Sequence, residues 1–146
     1  MTSFSEARQQ IELASSVPEL MAAACDAFQE ILNVLRDHYE PDSGWFAALV
    51  LAGSPAGEGR DALLFAPSLP PHTGPRKPAR EFSGGDGRAG SGAIAAGVAS
   101  LAGLLAVRLA GAAAGTAEAD HRDLAACRQA AASARELAEL LGGAGP

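Results

Sequence analysis

Two cysteines, Cys25 and Cys127, are all that 146 residues supply. Small secreted domains that depend on disulfides carry more, so a disulfide framework is excluded and a reducing, cytoplasmic setting is expected. Cationic side chains are also short, with 11 Lys and Arg against 17 Asp and Glu and a formal net charge of −6. Neutralising phosphates requires a basic face, so nucleic acid is not expected as a partner. Histidine occurs three times, as His38, His72 and His121, none with a Cys or His at metal-ligand spacing. No metal and no cofactor are expected. The first ten residues contain Glu6 and Arg8 and no apolar run after a basic start, so no secretory signal is read.

What is present is apolar but small. Hydrophobic residues make up 48 % of the chain, and Ala and Gly crowd the sequence. Helices of such residues must approach closely to bury anything. The 19 residues from Ala89 to Val107 carry no charge, yet their large members are only Ile94, Val98, Leu101, Leu104, Leu105 and Val107. Ala, Gly and Ser add little transfer free energy, so a membrane span is not expected.

The chain reads as one domain. Ser3 and Glu6 have capping-box spacing and open a short helix that ends near Ser15. Ser16, Pro18 and Glu19 give the clearest start signal, followed by Val17, Leu20, Met21, Ala24, Cys25, Phe28, Ile31, Leu32, Leu35 and Tyr39 at three- and four-residue steps. Pro41 to Gly44 has turn residues. Trp45 to Ala52 is eight apolar residues in a row, Gly53 to Arg60 holds three glycines and a proline, and Ala62 to Ala66 is apolar again. These segments predict a central β-hairpin with a long connection. Two strands alone are marginal in water, so this hairpin needs a partner.

Pro67 to Gly92 is rich in Pro and Gly and predicts a long loop. Beyond it, Ile94, Val98, Leu101, Leu105 and Ala112 mark one helix, with Gly97, Gly103 and Gly111 allowing close approach. Leu124, Cys127, Ala131, Ala134, Ala138 and Leu141 mark another, with acidic residues at its start and Gly142 and Gly143 at its end. The expected fold is therefore α+β: helix, helix and hairpin over 1–66, a loop over 67–92, an antiparallel helix pair over 93–141, and a tail over 142–146.

Catalytic signals are weak. Asp120-His121-Arg122-Asp123 places carboxylates beside an imidazole, but adjacent helical positions diverge, so a solvated first turn is the expectation. Both cysteines sit in apolar stripes, and no serine has a nucleophile-elbow context. The chain is not expected to be an enzyme. Its expected role is a protein-interaction or accessory subunit acting through a homodimer or partner interface, with Trp45, Phe46, Leu49, Leu51, Leu64 and Phe65 as contact residues. The alternative is a small-molecule or anion-binding module built on Gly85, Gly87, Arg88 and Gly90, a G-x-G-x-x-G run that leads into a helix.

Overall fold

The structure is a computed structural model that describes residues 3–38, 41–68, 90–115 and 120–143. Five helices occur among these residues: α1 (Ser3–Leu13), α2 (Val17–Asp37), α3 (Phe46–Leu64), α4 (Ser91–Gly115) and α5 (His121–Gly143). No strand occurs among them, so the expected α+β class is overturned and the described fold is all-helical.

The second helix begins as its sequence dictates. Glu19 donates its backbone N–H to Ser16 Oγ at 3.3 Å, and Pro18 sits in the first turn, where a missing N–H costs nothing. The Glu19 carboxylate turns back to accept from Ser15 N at 2.9 Å and Ser15 Oγ at 3.1 Å. Leu20, Met21, Ala24, Phe28 and Ile31 are buried along the expected face, and Val17, Cys25, Leu32 and Leu35 are half-buried.

The hairpin prediction fails at α3. Both apolar runs and the Gly/Pro segment between them form one continuous helix of 19 residues, with Pro55 inside it. The reason is packing. Leu49, Ala52, Ala56, Gly59 and Leu63 recur at alternating three and four steps and are all buried. That seam passes straight through the residues that read as a connection. Gly59 belongs to it because a Cβ there would stand 2.5 Å from the Phe28 ring of α2. Pro55 withholds the N–H that the Leu51 carbonyl would otherwise accept, and Leu51 lies on the exposed side, where water can replace it. Propensity costs of about 1 kcal/mol per Gly and about 3 kcal/mol for Pro are thus outweighed by burial on two neighbours, α2 and α5.

The contacts fix the topology. Only eight residues separate the end of α2 from the start of α3, and the two helices pack along each other, with Gly59 against Phe28 and Arg60 Nη1 donating to Gln29 Oε1 at 3.0 Å, so α3 turns back antiparallel to α2. His38, after α2, lies 2.9 Å from Ser91 Oγ at the start of α4, and the Trp45 indole lies against Gly92. Asp123, in the first turn of α5, accepts from Ser68 N at 3.1 Å just beyond the end of α3. The end of α3 and the start of α4 therefore lie at opposite ends of the molecule, and these two helices point the same way. Around the ring α2, α3, α5, α4, every neighbouring pair is antiparallel, with α4 and α5 the most extensively packed. This is a four-helix bundle of up-down-down-up order.

The first helix covers the seam between α2 and α4. Phe4 packs over Gly97, where a Cβ would stand 3.1 Å from its ring. Arg8 Nη2 donates to Ser100 Oγ at 2.9 Å, while Arg108 donates to the carbonyls of Glu12 and Ala14 at 3.3 and 3.0 Å, closing the C-terminus of α1. Of the three glycines expected to admit a neighbour on α4, only Gly97 does so. Gly103 and Gly111 face open space. Among the described residues one helix, α4, is long and apolar enough to cross a membrane. Within the bundle its large side chains Ile94, Val98, Leu101, Leu105 and Leu109 are buried against its neighbours.

Candidate interaction face on the third helix

Among the described residues, four of the six exposed large apolar side chains lie on the outward side of α3 or at its end. Val50 and Leu51 are 61 % and 60 % exposed near its start, and Leu64 and Phe65 are 52 % and 84 % exposed at its end. Between these apolar pairs lie Ser54, Glu58 and Asp61, all exposed. Asp61 Oδ1 accepts from Arg60 Nη2 at 3.0 Å, which leaves its carboxylate positioned along the helix surface. An open groove of about 530 Å³ borders the lower part of this face, lined by Glu58, Asp61, Phe65, Arg122, Ala126 and Gln129.

The six contact residues expected from sequence divide into two sets. Leu51, Leu64 and Phe65 are exposed on α3 or at its end. Leu49 is buried in the core, and Trp45 and Phe46 are half-buried at the start of α3, where Trp45 N donates to Ser43 Oγ at 3.0 Å. The division follows from the change of period: a strand buried on both faces would equate all six, whereas a helix turns Leu49 inward and Leu51 outward. Val50 was missed for the same reason. Its signal lay in the helical spacing of Val50, Ser54, Glu58 and Asp61, which only a helical reading of the Gly/Pro segment exposes.

Of the anion-site residues, Gly85, Gly87 and Arg88 lie outside the described residues. Gly90 is exposed and its carbonyl accepts from Ile94 N at 3.0 Å, the first hydrogen bond of α4. The expected solvated turn at Asp120 to Asp123 holds for three of its four residues. Asp120 caps the helix by accepting from Arg122 N at 2.7 Å, which holds its carboxyl below the usual range, while Asp123 is buried beneath Ser68. His38 and His121 sit at opposite ends of the bundle. Burial pushes both thiols, half-buried Cys25 and buried Cys127, up to about 11, so both are protonated at neutral pH.

The described residues thus form an antiparallel helical bundle whose third helix exposes four large apolar side chains on its outward side or at its end. No protein-family model, no curated protein and no solved structure matches the chain.

Proposed function

We propose that this protein is a non-enzymatic interaction or accessory subunit that works through the outward face of α3. The observation that carries the reading is the exposure of Val50, Leu51, Leu64 and Phe65 on one side of a single helix. Each such side chain gains about 1.5–3 kcal/mol when removed from water, so four on one face favour a covering partner. The polar centre, Ser54 with Glu58 and Asp61, supplies the directional groups that such a contact needs for register.

The test is site-specific photo-crosslinking in the producing cell, with a photoreactive amino acid at position 51 and, as control, at exposed position 128 of α5. A discrete protein adduct at 51 and none at 128 supports the proposal. No adduct at 51, or the same adducts at both positions, removes it.

A further inference from the structure

The outward face of α3 has a symmetry that names its occupant. At 100° per residue, Ser54 and Asp61 lie along the middle of the exposed strip, Val50 and Leu64 to one side, and Leu51, Glu58 and Phe65 to the other. The apolar pairs stand about 20 Å apart along the axis, at 1.5 Å per residue. Their midpoint falls between Gly57 and Glu58, so the arrangement reads alike from either end.

Resting on the interface proposed above, we infer that the partner is a second copy of this chain, packed with its α3 antiparallel to the first about a two-fold axis that passes beside Gly57 and Glu58. Side chains on the same side of the strip, within one residue of equal height, then meet in a defined set. Val50 packs on the second copy's Leu64, and Leu51 on the second copy's Phe65, giving one four-residue apolar cluster at each end. Ser54 faces the second copy's Asp61 and can donate its hydroxyl to that carboxylate. Gly57 adds no side chain near the axis and has open space around it, so the two backbones can approach at the crossing.

Charge does not drive this contact, and the register keeps its cost small. Two chains of net charge −6 repel at long range, yet on this face each Asp61 meets a hydroxyl rather than a carboxylate. The single like-charge approach is Glu58 with its own copy, beside the axis at the rim, where both carboxylates reach water. The contact is isologous and closed, as a two-fold dimer requires.

The experiment is sedimentation equilibrium of the full chain from low to high micromolar concentration, with four variants whose folding is checked by circular dichroism. The wild-type chain is expected to associate as a dimer and stop there. Leu51→Asp should raise the dimer Kd at least about tenfold. Val107→Asp, at a 70 % exposed position of α4, should leave it unchanged. Glu58→Gln should lower it about twofold by removing the like-charge pair. Glu58→Cys should give a covalent dimer with a short bis-maleimide, while the wild-type chain, whose two thiols are half-buried and buried, should not.

A dimer that ignores Leu51→Asp, or one that weakens with Val107→Asp, overturns the inference. So does a monomer at all concentrations. If that monomer still gives a crosslink from position 51 to a different protein, the interface reading stands and only the identity of the occupant falls.

Discussion

At the scale of single residues, small side chains are not interchangeable where helices touch. Gly59 lies under the Phe28 ring at 2.5 Å from a would-be Cβ, so Gly59→Ala should destabilise the protein by about 1–3 kcal/mol in urea denaturation as the ring is displaced. Gly53, less than two helical turns before it on the same helix, meets nothing within 4 Å. Gly53→Ala should therefore stabilise by about 0.5–1 kcal/mol, the ordinary gain of alanine over glycine inside a helix. Equal effects at the two sites would contradict the α2–α3 packing. The thiols give a pH prediction of definite sign. Folding raises both pKa values from about 9 to about 11, so their contribution is full below pH 9 and is lost as pH rises toward 11. Alkylation at pH 8 should accordingly be slow in the native protein and fast after denaturation. Rapid native labelling of Cys127 would place it outside the core.

At the scale of elements, four helices were legible and one was not. The Ser16, Pro18 and Glu19 start signal and the apolar stripes of α2, α4 and α5 survive because spacing and caps agree with burial. The third helix was misread because Trp45 to Ala52, its cap residue and first seven helical residues, are all apolar and display no period, and because Gly53, Pro55, Gly57 and Gly59 are strong local breakers. The cue lay in counting Gly59 as a core position, which requires knowing that Phe28 sits opposite. Asp123 was likewise read as solvated, since no pattern in the sequence brings Ser68 to it across 55 positions. Asp123→Ala should cost about 1–2 kcal/mol in thermal or urea unfolding, through the lost acceptor and the lost charge in the first turn of α5. A change within error would mean that the Ser68 contact does not form.

At the scale of the whole molecule, small residues let four long helices pack closely, and the core is completed by Phe28, Met21, Leu105, Leu109 and Leu137. Of the six contact residues expected from sequence, Leu51, Leu64 and Phe65 are exposed on α3 or at its end, whereas Leu49 is buried because a helix, unlike the expected hairpin, turns it inward. The proposed self-association would make stability depend on concentration, because dimerisation draws the folded state forward by mass action. The thermal midpoint should rise with protein concentration, and should do so more at moderate salt, where the repulsion between acidic chains is screened. A midpoint independent of concentration in the wild type would argue against self-association.

Residues 46–64 form a helix, and its outward side is the contact surface proposed above. The most direct measurement is an assigned amide spectrum of the full chain recorded through a dilution series. The account predicts helical Cα shifts from Phe46 to Leu64 and concentration-dependent changes confined to Val50, Leu51, Ser54, Glu58, Asp61, Leu64 and Phe65. Strand-type shifts over 46–52, or concentration-dependent changes centred on α4 instead, would contradict it.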